Sequence, residues 1–218
     1  MTPLSADRAR GQDTRDGSDV ARGTNGRAGS YYADGPNRLI GYLLDAIILA
    51  ILAFAGAVIV SLVFGPVVTF DLAADPTVSV DAGLALADVV LATAISAAYF
   101  IFTWRRFGGS PGHRLLGMRI WGEDHERPVT IGQGVVRWSF IGLPLGVQAA
   151  MSVVVAGLAD AVLSLTLLAW YLVLFVTTVR SPTKQGIHDR AAHTVVTKVA
   201  REAPWADAGW REPGADVH

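Results

Sequence analysis

Residues 38–64 read RLIGYLLDAIILAILAFAGAVIVSLVF, and the fold is decided there. Residues 46–64 contain no charge, Pro, Asn or Gln. A membrane-spanning helix needs about 20 predominantly apolar residues, so this run is long enough to cross. It is too uniformly apolar to be one face of a soluble helix. Asp45 precedes the neutral run, and Arg38 stands seven positions before Asp45. At 1.5 Å per residue that is about 10 Å along the axis, close to two turns, which puts both on one face. Arg38 at the edge can snorkel to the headgroups. An acid inside a span is expensive unless paired, hydrated or protonated. Gly41, between the two, can admit a close neighbour.

Composition agrees with a membrane protein. The chain has 218 residues, 51% hydrophobic and only 17% charged, against roughly 25% charged in soluble domains. A net charge of -1 gives no global field for nucleic acid, and the basic segments lack interleaved aromatics. There is no Cys, hence no disulfide or thiolate chemistry, and the five His show no zinc spacing. No cofactor or metal is expected. Residues 1–33 are polar, with mixed charge and no apolar signal core, and are expected to be a disordered tail.

Three further apolar tracts follow. Gly65-Pro66 ends the first helix, and the loop to Gly83 carries Asp71, Asp75 and Asp81 with no basic residue. Residues 84–104 form the second tract, with Asp88 near its outer end and Trp104 suited to the other interface. Residues 135–157 form the third, marked at its near end by Arg137 and Trp138 and bent by the interior Pro144. Gly142 and Gly146 have the spacing for close helix packing. Residues 161–179 form the fourth, joined to the third by a turn holding Asp160. A broken or re-entrant third tract is the competing topology. Asn37 is expected to cap the first helix.

The 105–127 loop and the 180–201 tail are basic beside the helix ends, while the 65–83 loop is acidic. The positive-inside rule then puts both termini in the cytoplasm. The expectation is an all-α transmembrane protein, a four-helix membrane bundle over residues 34–200, with spans near 38–64, 84–104, 135–157 and 161–179. Residues 194–199 alternate enough to form a strand, which would pair with residues 116–121 as a small cytoplasmic sheet. Residues 201–218 are expected to be a flexible tail.

The candidate functional residues are Arg38, Asp45, Arg114, His188, Asp189 and Arg190. Asp45 is either a carboxylate that couples to a proton or sodium ion or contacts a ligand, or a structural acid paired with an arginine. His188-Asp189-Arg190 is a dense polar cluster that can fold back beneath the bundle to meet Arg38 or Asp45; otherwise it is a capped turn before a strand. Residues 108–113, GGSPGH, lack the phosphate-loop arrangement and are read as a conformational element beside Arg114.

Three segments together are similar to the RDD family of bacterial integral membrane proteins. NRLIGYLLDAIIL resembles the family's opening. GGSPGHRLLGMRI resembles its G-x-T-x-G-K signature and the following Leu-Gly-x-Arg-Val run. GIHDRAAHTVV resembles its closing Leu-His-Asp-x-x-Ala-Gly-Thr segment. The resemblance covers residues 37–199. It implies that the family's arginine is Arg38, its first aspartate Asp45 and its second Asp189. His113 stands where Lys is usual, Ser110 where Thr is common, and His193 where Gly is usual. It implies a multi-pass cell-membrane protein, transport of unidentified ligands and, in some members, sodium/proton exchange.

Two functions compete. The first is a small transporter or transporter subunit with Asp45 as its in-membrane carboxylate, forming an oligomer because four helices are few for alternating access. The second is a structural or partner-binding membrane protein whose basic cytoplasmic surface, with Arg114, Arg119 and Arg190, recruits a protein or anionic lipid. No catalytic constellation is visible, so an enzyme is not expected.

Overall fold

Asp34, not Asn37, starts the first helix: its extended backbone and its carboxylate, which accepts from the Asn37 N–H at 3.4 Å, cap helix α1, Gly35–Phe64. Pro36 fits the first turn because its missing N–H would have no helical partner there. The computed structural model describes residues 30–71, 77–124 and 127–199. The expected tails over residues 1–29 and 201–218 lie outside them. Of the expected N-terminal tail, Ser30–Tyr32 forms a strand, β1.

After α1 come strands β2, Val68–Asp71, and β3, Thr77–Val80, paired antiparallel, then helix α2, Ala82–Phe107. A short helix α3, Pro111–Leu115, leads into strand β4, Met118–Gly122. Helices α4, Ile131–Ile141, α5, Leu143–Val154, and α6, Leu158–Arg180, follow. A short helix α7, Ile187–Ala191, and strand β5, Thr194–Val199, complete the described chain.

Helices α1, α2 and α6 are each long and apolar enough to cross a membrane. Few of their residues are buried within the protein. Phe54 is 72% exposed and Leu62 82%. Exposed apolar surface on that scale marks a lipid-facing protein.

The 135–157 tract is not a single helix. It begins earlier, at Ile131, because Thr130 and Gln133 form a capping box. It breaks at Gly142, two residues before Pro144, which has no N–H to give to the carbonyl four residues back. That carbonyl, on Phe140, accepts from Trp170 Nε1 at 2.9 Å. The next, on Ile141, accepts from the Tyr171 hydroxyl at 2.6 Å. The break is therefore stabilised by two aromatic donors from α6. Trp170→Phe should leave the Phe140 carbonyl unpaired in an apolar setting and cost about 1–3 kcal/mol, read by unfolding in mixed micelles.

Both halves of the broken tract lie along α2 in the same direction. A Cβ on Gly134 would sit 3.4 Å from Ile101, Trp138 Nε1 donates to Ser96 Oγ at 3.2 Å, and a Cβ on Gly146 would fall 2.4 Å from Thr93 Oγ1. Gly146 thus admits a close neighbour. Gly142 faces its own Trp138 rather than another helix. At the far end, Asp160 accepts from Ser152 at 2.6 Å and joins α5 to α6.

At the other end, strands β1, β5 and β4 form an antiparallel sheet in that order. Met118 pairs with Lys198 and Gly122 with Thr194, the expected pairing, and Tyr32 pairs with Thr197 to add the third strand. The sheet packs on the helix ends through Met118, Ile120, Val196, Phe100 and Trp104. Trp104 is fully buried in this junction and does not reach a membrane interface.

Candidate functional site

Two buried polar clusters meet at the sheet end of the bundle. The first is built on Asp45, which is completely buried. Its Oδ1 accepts from the Tyr99 hydroxyl at 2.8 Å and from the Gly112 N–H at 2.8 Å. Its Oδ2 accepts from the Ser110 hydroxyl, with His113 Nδ1 3.3 Å away. Ser110-Pro111-Gly112 is the start of α3, with Pro111 again in a first turn. Gly112 is needed there: a Cβ would lie 2.1 Å from the Gly41 carbonyl and 3.0 Å from the Asp45 carboxylate. Gly41 in turn lies against His113 and Met118. The acid thus holds the 108–113 segment against α1.

His113 Nδ1 lies 2.7 Å from Ser110 Oγ. The Ser110 proton is already donated to Asp45, so Nδ1 carries the ring proton and donates to Ser110. Burial pushes the imidazole down, against the pull of its hydrogen bond to Asp45. Where the resemblance has a lysine, this chain holds a neutral ring. Asp45 is satisfied by hydroxyls, one amide and this imidazole, and among the described residues no arginine bonds to it.

The second cluster is built on Asp189, also completely buried. Arg38 Nη1 donates to Oδ2 at 2.5 Å, the Gly186 N–H donates to the same oxygen at 3.2 Å, and Arg137 Nη1 donates to Oδ1. Arg137 Nη1 also donates to Thr194 Oγ1 at 2.9 Å, and its Nη2 to the Tyr42 hydroxyl at 3.2 Å. Its guanidinium lies over the Trp104 ring, 5.2 Å from the centroid, a cation–π placement. Arg38 Nε donates to the Ala33 carbonyl at 2.9 Å. Arg38 is only 3% exposed, so it does not snorkel.

Burial works against an ionised Asp189. The Arg137 guanidinium, with His188 and Arg38, overcomes it and holds the carboxyl far below the usual carboxylate range. Burial drives the His188 imidazole down to about 4, against the attraction of Asp189. His188 and His113 are therefore neutral near pH 7. A histidine depressed in the fold binds its proton more readily when unfolded, so stability is full above about pH 6.5 and falls as pH drops toward the folded value. Lowering the pH from 7.5 to 5.5 should cost about 1 kcal/mol through His188 alone, with His113 adding a loss of the same sign. Unfolding in mixed micelles at both pH values checks this, and His188→Gln should narrow the difference.

The structure joins Arg38, His188 and Asp189 and keeps Asp45 apart. Tyr42 stands between the groups, its hydroxyl bonded to Arg137 and its ring 4.5 Å from that of His113. Arg114 and Arg190 are exposed and belong to neither cluster. Arg114 lies over the Phe107 ring, and Arg190 donates to Ser181 Oγ at 3.2 Å. Arg137, Tyr42 and Tyr99 complete the clusters, and none is among the candidate functional residues that the sequence offers. The capping box at 130–133 is the signal for Arg137, because it starts the helix early enough to put that arginine well inside it. Among the described residues, no group of three His, Cys, Asp or Glu is placed to hold a metal ion.

A cavity of about 410 Å³ opens between the spans directly above the second cluster. Arg38, Tyr42 and His188 line its polar end, and Leu43, Leu145 and Phe175 are among its apolar walls. Leu43 is 58% exposed and Leu145 56%, so the cavity opens sideways, toward the lipid-facing surface. At the sheet end it is closed where Gly35 packs tightly on Val179 and Phe175.

No curated protein and no solved structure matches the chain. The model of the RDD family matches residues 32–193, which include Asp45, Asp189 and both arginines of the second cluster, all three span-length helices and the cavity. The chain belongs to the RDD family.

Proposed function

We propose that this chain is a multi-pass cell-membrane protein, a small transporter or transporter subunit, that takes its ligand into the cavity between the spans. The observation that carries this reading is the cavity itself: apolar, laterally open, and ending on a nearly buried guanidinium. Its volume falls in the ordinary range of small-molecule sites, roughly 300–1,000 Å³. Helices α4 and α5, of 11 and 12 residues, complete a fourth crossing. Placed end to end at 1.5 Å per residue they extend about 35 Å, against a hydrocarbon core of about 30 Å. Both termini then lie in the cytoplasm with the sheet and the exposed arginines. Oligomerisation would supply the further helices that alternating access needs.

Asp45 serves this function as a latch. Its four hydrogen-bonding partners favour a fixed acid over one that cycles with a proton or sodium ion. The chain has no Cys, so single-cysteine variants report without background. In proteoliposomes, Ser96→Cys in the cavity wall should react with a membrane-impermeant thiol reagent from an aqueous face. A cysteine sealed from both faces would contradict transport through the cavity. Loss of proton or sodium flux in Asp45→Asn, with the fold intact, would restore the coupling role.

The basic end supports a second reading. Arg105, Arg106, Arg114, Arg119 and Arg190 are all exposed there. A surface of this kind suits an acidic protein partner or anionic headgroups. Co-purification of a partner that is lost on charge reversal of Arg114 and Arg119, and kept in Asp45→Asn, would favour it.

A further inference from the structure

We infer that the cavity ligand is a single-chain amphiphile with an acidic head, drawn from the bilayer, its head on Arg38 and His188 and its chain along Leu43 and Leu145. The inference rests on the cavity reading above and names the chemistry of its occupant.

Three observations carry it. First, the polar end holds unused donors. Arg38 Nη2 has no hydrogen-bond partner although the residue is 3% exposed. Neither ring nitrogen of His188 has one either; its nearest acid is Asp189, 3.5 Å from Nε2. Buried polar groups are normally satisfied, and unpaired polar atoms in two side chains that line a cavity call for a partner there. Second, the charge is unbalanced. Two guanidiniums, Arg38 and Arg137, share the one carboxylate of Asp189, and both histidines are neutral. The Asp45 carboxylate is occupied by its own donors behind Tyr42. An anion at Arg38 balances the single excess charge of the Asp189 cluster; a cation there would be repelled. Third, beyond this end the wall is almost entirely apolar, and its exposed leucines face lipid. A small hydrophilic anion would leave that wall without a partner. A carboxylate or phosphate monoester on an acyl chain satisfies both halves, entering sideways without crossing water.

The full chain in nanodiscs of neutral lipid should bind labelled palmitate saturably. Hexadecanol should compete about tenfold more weakly or worse, the difference made by one charge-assisted hydrogen bond. Hexadecyltrimethylammonium should not compete. Leu43→Trp and Leu145→Trp fill the portal at positions too exposed to upset folding, and should abolish binding. His188→Gln should weaken palmitate while leaving hexadecanol unchanged. Equal competition by hexadecanol would overturn the acidic head and leave the cavity as a binding site. Competition by inorganic phosphate as strong as by palmitate would overturn the bilayer origin. Palmitate binding untouched by both tryptophans would overturn the cavity reading itself.

Discussion

Asp189→Ala is expected to cost about 3–5 kcal/mol, enough to abolish a stable fold in detergent. Asp189 is the only acid bonded to Arg38 or Arg137 among the described residues, and all three are buried. Removing it leaves two guanidiniums facing each other in a closed site, a far worse arrangement than the loss of an exposed pair, which is worth under about 1 kcal/mol. Asp189→Asn keeps the shape but not the charge and should recover only a small part. Arg38→Met should be milder than Asp189→Ala, because Arg137 remains paired with the acid. The double variant Arg38→Met/Asp189→Asn should then lose well under the sum of the single losses, since one unpaired charge has gone. Mixed-micelle unfolding of the four proteins reads this, and additive losses would contradict a shared charge cluster.

Gly112→Ala should be comparably severe for a different reason. The added methyl would lie 2.1 Å from the Gly41 carbonyl, which is helix backbone and cannot turn aside. Helix α3 must lift, pulling the Gly112 N–H and the Ser110 hydroxyl away from Asp45. Overpacking alone costs about 1–3 kcal/mol, and an unsatisfied buried carboxylate adds to it. The expected loss is about 3 kcal/mol or more in mixed-micelle unfolding. Gly117→Ala supplies a comparison, since nothing lies within 4 Å of a Cβ there, although its positive φ of 72° adds backbone strain of its own.

What sequence could show depended on how local the signal was. The span at 38–64 needed only its own composition, and the pairing of residues 194–199 with 116–121 needed only alternation and basic flanks. Arg38 and Asp45 stand out because charge beside an oily run is costly, and Asp189 stands out as part of the polar cluster His188-Asp189-Arg190 and through the resemblance. Their partners did not. Asp45 was open to pairing with an arginine, yet it draws on Tyr99, Ser110, Gly112 and His113, which lie at least 54 positions away in the chain. Arg137 reads as an edge marker because the apolar run begins only at Val135, four residues after the helix that its capping box starts at Ile131. The break at Gly142 was anticipated as a bend at Pro144; its stabilisation by Trp170 and Tyr171 is tertiary and left no mark in the local pattern. The cavity is a space between helices, and no stretch of sequence encodes it alone.

The ion pair between Arg38 and Asp189 spans 151 positions. During synthesis the first helix must enter the bilayer with its guanidinium unanswered, and it stays so until the carboxylate, 151 positions later, emerges from the ribosome. Strand β5, the centre of the sheet, comes still later, so neither β1 nor β4 can pair before it. A nascent chain stalled short of residue 189 would therefore present a bare cation and two unmatched strand edges to the cell's membrane proteases. Arrival of Asp189 and strand β5, rather than insertion of any single helix, is the event that protects it.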